Sequence, residues 1–178
     1  MGKKLIIFTD IGDTIIDEST EVRKVSKGVV YHASCIPGAK EAMLTLYARG
    51  YTIAMVADGL TESFHNTMRE NGLSYIFSAE AVSEDVGQEK PSPVMFETAM
   101  KKLGLTDADK PRIIMVGNNV ERDMAGAKRF GIRSVQLVWS HRHPCKPSCP
   151  EEEPDFRIYD PSELPPLVEQ LERQLETV

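Results

Sequence analysis

The sequence contains, close to its first residue, the stretch Ile6-Ile7-Phe8-Thr9-Asp10-Ile11-Gly12-Asp13-Thr14. An apolar run leads to an aspartate, and a glycine-containing turn follows at once. This pattern predicts a buried parallel strand whose carboxyl end delivers the Asp10 carboxylate into a crevice. In open α/β sheets, ligands bind just outside those carboxyl ends. A carboxylate in that position can attack phosphorus or carbon and form a covalent aspartyl intermediate.

Segments typical of strands and of helices alternate along the 178 residues. Strand-like runs lie at 5–8, 51–56, 113–116 and 134–138, with weaker runs at 75–82 and 156–158. Helix-like stretches lie at 38–49, 61–71, 92–104, 119–130 and 163–175. The short connections between them predict an α/β fold with a doubly wound parallel sheet, Rossmann-like, covered by helices on both faces. We expect residues 1–178 to form one domain, since the length suits a single core and no linker interrupts it.

The composition narrows the function classes. Hydrophobic residues make up 41% and charged residues 27%, with a net charge of −6, which is typical of a soluble protein. No basic stripe is present, so nucleic acid is not expected as a partner. No segment is long and apolar enough to suggest a membrane span, and three cysteines do not imply a disulfide framework. A cytoplasmic protein is expected, and an oligomer is left open.

Four segments, by their order and spacing, resemble the motifs of the haloacid dehalogenase superfamily, most of whose members are phosphohydrolases. The family's first motif is an apolar strand followed by Asp, any residue, Asp, any residue and Thr. Asp10 and Thr14 match it, whereas Gly12 stands in place of the second aspartate. The third motif is a lysine, and Lys90 lies in the matching context Gly-x-x-Lys-Pro-x-Pro at 87–93.

The other two motifs each depart from the family pattern at one position. The second motif ends a strand in Ser or Thr, but here the strand ends in Ala57, followed by Asp58 and Gly59. The fourth motif is an apolar strand, Gly-Asp, four residues and a second Asp. Asn118 replaces the first of these aspartates, and Asp123 retains the second. The resemblance extends over most of the chain.

The resemblance implies roles for the matching residues. Asp10 would be the nucleophile, and the Lys90 ammonium would screen its repulsion from an anionic substrate. Asp123 would order Lys90 or a metal-bound water, or else it is an ordinary acid in the first turn of a helix. The backbone N–H groups of Asp58 and Gly59 would contact the phosphate together with Lys90.

The resemblance also implies a Mg²⁺ site made by the Asp10 carboxylate, the Gly12 carbonyl and the Asn118 amide oxygen, which ligates without charge. Gly12 removes the carboxylate that serves the family as general acid and base, an effect worth about 10²–10⁴ in rate. Asp13 is one residue out of register, and we expect it to point elsewhere as a turn residue. Weak metal binding and slow turnover are therefore expected.

Residues 15–36 follow neither the strand nor the helix pattern. Apolar stretches on either side of Ser26-Lys27-Gly28 predict a hairpin, and the family places a flap hairpin here. Many members insert a cap domain at this point, but about 20 residues are too few for an independent folding unit. We expect a short flap hairpin, no cap domain, and an open site that suits a phosphorylated substrate of large size.

A separate loop carries four residues that can ligate zinc, namely His141, His143, Cys145 and Cys149. In an extended segment alternate side chains share a face, so the first three can converge and Cys149 can complete a tetrahedron. The spacing matches no strong zinc pattern, however, and the prolines around it equally indicate an ordinary surface loop. Both interpretations stay open at this point.

These features favour a haloacid dehalogenase-like hydrolase, in the first place a weak Mg²⁺-dependent phosphatase that uses Asp10. The alternative is a catalytically degenerate scaffold that binds a phosphorylated ligand or a protein partner. A third interpretation is a metal-independent dehalogenase-like hydrolase, since a halide leaving group needs neither protonation nor Mg²⁺. It is ranked low because the family's dehalogenases take substrate-binding residues from a cap.

Overall fold

The computed structural model describes residues 4–25 and 27–175 and is built around a six-stranded parallel sheet. Within the described residues the strands are β1 (Ile6–Thr9), β2 (Val22–Arg23), β3 (Val30–His32), β4 (Thr52–Ala57), β5 (Phe77–Val82), β6 (Ile113–Gly117), β7 (Arg133–Leu137) and β8 (Phe156–Ile158). The large sheet has the order β5-β4-β1-β6-β7-β8, and every neighbouring pair is parallel. The chain thus winds from β1 to one edge and then from β6 to the other, as a doubly wound sheet.

Helices cover both faces of this sheet. They are α1 (Ala39–Ala48), α2 (Thr61–Glu70), α3 (Ser83–Val86), α4 (Pro93–Lys102), α5 (Ala125–Phe130) and α6 (Leu164–Leu175). Alternate residues of a strand point to opposite faces: Ile7 packs in the apolar cluster with α1, α2 and α6, whereas Ile6 and Phe8 pack with α4 and α5. Because both faces of β1 are buried in this way, packing on both sides fixes the position of its carboxyl end.

The expected flap is present as the antiparallel pair β2 and β3. It is fastened to α2 by two hydrogen bonds. The Val30 N–H donates to Ser63 Oγ at 2.9 Å, and Asn66 Nδ2 donates to the Val30 carbonyl at 3.1 Å. In residues 4–25 and 27–175 no separate cap domain accompanies this hairpin.

The predicted helix at 119–130 differs from expectation in its first half. The segment Val120–Met124 is a π-helical turn, and the regular helix α5 begins only at Ala125. The side chain of Asn119 accepts the N–H groups of Glu121 and Arg122, so the first turn is held by a side chain from the preceding loop. A wider first turn is a frequent feature of functional sites.

Thr61, at the start of α2, does not cap the helix through its hydroxyl. The N-cap position is Leu60, and the Thr61 hydroxyl instead donates to Asp85 Oδ2 at 2.8 Å. Over the described ranges, none of the helices combines the length and the apolar character required to cross a membrane.

Candidate active site

The carboxyl ends of three adjacent strands, β4, β1 and β6, meet at one edge of the sheet. Asp58 follows β4, Asp10 follows β1 and Asn118 follows β6, so the register of a parallel sheet brings these side chains together. The Asp10 N–H donates to the carbonyl of Val116 at 2.9 Å and ties the loop after β1 to β6. A cavity of about 410 Å³ opens above these strand ends, and the flap lines its rim.

Lys90 lies at the bottom of this cavity with its ammonium fully engaged. Its Nζ is 2.9 Å from Asp10 Oδ1 and 2.7 Å from Asp123 Oδ1, and it donates to the Val56 carbonyl at 2.7 Å. The lysine side chain is only 1% exposed. A buried cation is tolerated because charged and polar partners surround it. The geometry therefore joins all three residues that the resemblance marked as catalytic.

The electrostatics of this cluster are set by burial and by opposite charge. Burial raises the pKa of Asp10 to about 7, against the lowering effect of Lys90 and with a further increase from the Asp123 charge. Burial alone would lower the pKa of Lys90, but Asp10, Asp123 and Asp58 outweigh it and raise that pKa above its ordinary value. Lys90 is thus a permanent cation, and a further cation in the cavity would favour the ionised form of Asp10.

Asp123 serves two structural purposes at once. One carboxylate oxygen faces Lys90 Nζ, and the other accepts the backbone N–H groups of Asn118 and Asn119 at 3.1 and 3.0 Å. Of the roles considered for Asp123, this geometry favours the one in which it orders Lys90. It also fixes the loop that carries Asn118, so the lysine and that loop are positioned by the same carboxylate.

Asn118 is buried at the cavity wall, with 3% of its surface exposed. Its amide nitrogen has no hydrogen-bond partner among the described residues. An amide N–H group donates, so this unpaired nitrogen calls for an acceptor such as a phosphate oxygen rather than for a cation. Asp10, Gly12 and Asn118 line the same cavity, and their carboxylate, carbonyl and amide oxygens are of the kind that a hard divalent cation prefers.

Asp58 and Gly59 line the cavity, but their groups are largely committed. Asp58 accepts the backbone N–H of Lys90 at 2.9 Å, and its other oxygen is 3.3 Å from Arg122 Nη1. Burial raises the pKa of Asp58, while Lys90 acts in the opposite direction. The Gly59 N–H donates to Ser83 Oγ at 2.8 Å. A phosphate contact from Gly59 would therefore have to displace Ser83, and its predicted role is weakened.

Arg122 is a site residue that the sequence did not single out. It reaches the cavity from the π-helical turn and bridges Asp58 and Glu89, each at 3.3 Å. Its side chain is 43% exposed and lines the cavity, so its positive charge is accessible from solvent. Arg122 is one of the four residues that the fourth motif leaves unspecified between Asn118 and Asp123, so the motif does not predict that it reaches the cavity.

Asp13 is turned away from the cavity, as expected from its register. It has a positive φ of 46° and is fully buried. Its carboxylate accepts the backbone N–H of Glu18 at 3.0 Å, the Ser140 hydroxyl at 2.6 Å and Arg142 Nε at 2.9 Å. This turn residue therefore joins the loop after β1 to the segment around residue 140.

The four zinc candidates are not gathered at one point. His141 Nδ1 lies 3.0 Å from Cys145 Sγ, whereas His143 Nε2 lies 2.9 Å from a carboxylate oxygen of Glu18. Cys149 is exposed. Within the described part of the chain, the cluster of three ligating side chains that includes His143 contains none of the other three candidates.

We expect protein purified without a histidine tag to carry zinc far below one equivalent per chain, because His143 is engaged by Glu18. Elemental analysis after dialysis against trace zinc measures this directly. Zinc near one equivalent that is lost in a Cys145→Ser/Cys149→Ser variant would establish the zinc interpretation instead.

An aspartate after the first strand of a doubly wound sheet, salt-bridged to a buried lysine, defines a hydrolase-like site of the haloacid dehalogenase type. The family model described as haloacid dehalogenase-like hydrolase matches residues 6–137, and the chain belongs to this family.

Named relatives agree with this assignment. The chain is 27% identical over 135 residues to a glyceraldehyde 3-phosphate phosphatase of Methanopyrus kandleri, covering 76% of this chain and 57% of that protein. It is 30% identical over 128 residues to a phosphoserine phosphatase of Thermus thermophilus, and the match covers 72% of this chain and 49% of that protein. The chain thus spans about half the length of the curated relatives that it matches.

A solved structure of an uncharacterized protein from Listeria monocytogenes serotype 4b shares the fold over nearly its whole length. The TM-score is 0.76 at 21% identity, covering 95% of this chain and 99% of that one.

Proposed function

We propose that the protein is a Mg²⁺-assisted phosphatase that hydrolyses a phosphate monoester through Asp10. The observation that carries this proposal is the placement of Asp10 at the carboxyl end of β1, 2.9 Å from the buried Lys90 ammonium and open to a 410 Å³ cavity. Membership in the family and the phosphatase names of its relatives support the same chemistry.

The cavity provides what an anionic substrate needs near a carboxylate nucleophile. Lys90 neutralises part of the charge on Asp10 and on the incoming phosphoryl group, and Asp123 holds the lysine in place. Arg122 at the mouth supplies a second cation for the phosphate or for the rest of the substrate. The short flap leaves the cavity open, which favours a substrate that is itself large enough to exclude water.

The residues that would hold Mg²⁺ are Asp10, the Gly12 carbonyl and Asn118. When bound, the ion supplies positive charge for the phosphoryl oxygens. In the chemical steps, an Asp10 oxygen attacks phosphorus and the bond to the leaving oxygen breaks. Water then attacks the phosphorus of the phospho-aspartate, and inorganic phosphate leaves as Asp10 is regenerated.

The proposal is tested by hydrolysis of an aryl phosphate, a substrate with a good leaving group, with and without Mg²⁺. Activity that depends on Mg²⁺ and disappears with Asp10→Asn supports the enzyme. Binding of inorganic phosphate or a phosphorylated ligand without turnover would identify a catalytically degenerate scaffold. Turnover of a 2-haloacid in the presence of a chelator would identify dehalogenase chemistry.

Replacing Asn118 by Asp is expected to tighten Mg²⁺ binding by about tenfold or more, the equivalent of ~1.4 kcal/mol. The substitution adds a negative charge to a side chain that already lines the proposed metal site. Titration calorimetry on both proteins measures the change.

Asn119→Asp is the matched control for this variant. It adds the same charge one residue away, on a side chain whose oxygen already accepts two backbone N–H groups. We expect a much smaller change in Mg²⁺ affinity from it. Equal affinity of wild type and Asn118→Asp, or no binding by either at millimolar Mg²⁺, would contradict the metal site.

A further inference from the structure

We infer that Glu18 is the general acid and base of this site and takes the place of the carboxylate that the family carries at position 12. The inference rests on the proposed phosphatase function and adds to it the missing proton-transfer group. It accounts for Gly12 itself, since the two residues compete for the same space.

The space beside Gly12 is filled by the Glu18 side chain. A Cβ added to Gly12 would overlap Glu18 Oε1 and lie 3.0 Å from Cδ and 3.3 Å from Cγ. The approach to Oε1 is closer than real Cβ atoms make, so any larger residue at position 12 would have to displace the Glu18 carboxyl group. The Glu18 carboxyl group therefore lies beside position 12, where the family motif has an aspartate, although it comes from six residues further along the chain.

Glu18 is held in this place by local structure. It begins the 3₁₀ turn Glu18–Thr20, which Asp17 caps through the Ser19 N–H, and its own N–H donates to the buried Asp13 carboxylate at 3.0 Å. Its carboxylate oxygen Oε2 lies 2.9 Å from His143 Nε2. The side chain is 23% exposed and lines the same cavity as Asp10 and Lys90, so it can reach a bound substrate.

Three other acids that line the cavity are less suitable as the proton-transfer group. Glu21 is engaged by Arg23 on the flap at 3.0 Å, and Glu121 lies in the π-helical turn with its side chain exposed. Asp58 is bonded to the Lys90 backbone N–H. Of the described acids that line the cavity, Glu18 occupies the space next to Gly12.

A metal ion is a less suitable explanation for the cluster of Asp13, Glu18 and His143. Their ligating atoms lie within 4.8 Å of one another. Arg142, however, already provides the positive charge, with Nε 2.9 Å from Asp13 Oδ2 and 3.8 Å from Glu18 Oε2. A second cation at this point would be repelled by Arg142.

The proton balance is complete with Glu18 in this role. As Asp10 attacks phosphorus, the electrons of the breaking P–O bond stay on the leaving oxygen, which takes the proton from the Glu18 carboxylic acid. In the second step the Glu18 carboxylate takes a proton from the attacking water, and the bond between phosphorus and Asp10 breaks. His143 is a positioning residue, because its Nε2 lies 2.9 Å from Glu18 Oε2 and holds the carboxyl group in place.

The test is Glu18→Gln, assayed on 4-nitrophenyl phosphate and on glycerol phosphate. We expect kcat/KM on the alkyl substrate to fall by about 10²–10⁴, with a much smaller fall on the aryl substrate. Rapid mixing with the aryl substrate should show a burst of nitrophenol followed by slow turnover, because the phospho-aspartate can no longer be hydrolysed quickly. Glu97→Gln, on an exposed position of α4, is the matched control and should show neither change.

A rescue experiment separates chemistry from folding. Gly12→Asp in a Glu18→Ala background returns a carboxylate from position 12 into space that the substitution has emptied. We expect this double variant to recover alkyl phosphatase activity at least about tenfold over Glu18→Ala. His143→Gln should weaken the alkyl reaction more than the aryl reaction, which loss of packing alone would not do.

The outcomes distinguish the two proposals. Glu18 is excluded if wild type is active and Asp10→Asn is inactive, but Glu18→Gln keeps full activity on both substrates or loses both equally without a burst. The same conclusion follows if a folded double variant shows no recovery. If wild type hydrolyses neither substrate in the presence of Mg²⁺, the phosphatase proposal fails first and the role of Glu18 fails with it.

Discussion

Asp10→Asn is expected to lower phosphatase activity by at least about 10⁴-fold, because an amide cannot form the covalent intermediate. The side chain keeps its size, so the loop after β1 should remain folded. The substitution also removes one of the two carboxylates that pair with Lys90 Nζ. The other, Asp123 at 2.7 Å, is retained. Steady-state assays with an aryl phosphate measure the loss, and circular dichroism confirms the fold.

The matched control is Asp107→Asn, a change of the same kind at an exposed side chain of the 3₁₀ segment Asp107–Arg112. It should leave activity unchanged. If Asp10→Asn retained more than a few per cent of wild-type activity in a preparation free of contaminating phosphatase, another residue would have to be the nucleophile.

Lys90→Met is expected to reduce activity by about 10²–10³-fold and to destabilise the fold by about 3–5 kcal/mol. The substitution keeps most of the volume but removes the cation that Asp10 and Asp123 share. Asp123 is only 1% exposed, so its carboxylate would be left without a compensating charge in the interior. Urea unfolding without added metal measures the stability change.

Lys101→Met provides the comparison for Lys90, since Lys101 is exposed in the last turn of α4. We expect it to change the free energy of unfolding by less than about 0.5 kcal/mol. Full stability of Lys90→Met would mean that the buried ion pairs with Asp10 and Asp123 do not form in solution. Unchanged activity would remove Lys90 from the mechanism.

The sheet and the core of the site were predictable because their signals are local. An apolar run that ends in Asp10 specifies both a buried strand and the place of the carboxylate. The context of Lys90, with two prolines and a following helix, likewise identifies one lysine among many. The alternation of strands and helices then places the ends of β1, β4 and β6 at the same edge without further information.

The position of Glu18 could not be predicted, because it depends on how the loop after β1 folds back. Asp13 adopts a positive φ and is buried, where it accepts the Glu18 N–H, so the chain reverses and brings residue 18 against Gly12. The sequence shows only that Gly12 lacks the carboxylate of the second aspartate in the first motif. Only the folded loop indicates that the lost carboxylate has a replacement, and that His143 from a distant segment lies against it.

The contacts of Gly59 were also not predictable from the sequence. A glycine after a strand is a reasonable donor to an anion, and Gly59 does line the cavity. The prediction did not include Ser83, which comes from the start of α3 and accepts that N–H at 2.8 Å. Such a contact between separate loops leaves no pattern in either segment.

Chemical capture of the intermediate on Asp10 tests the proposed mechanism most directly. Protein mixed with an aryl phosphate and Mg²⁺ is quenched in acid, treated with borohydride and digested, and the peptide that contains residue 10 is sequenced by mass spectrometry. A phospho-aspartate is reduced to homoserine, so we predict homoserine at position 10 in wild type, in larger amount in Glu18→Gln, and none in Asp10→Asn. Unmodified Asp10 in wild-type protein that is turning over substrate, or homoserine at another aspartate, would contradict the mechanism.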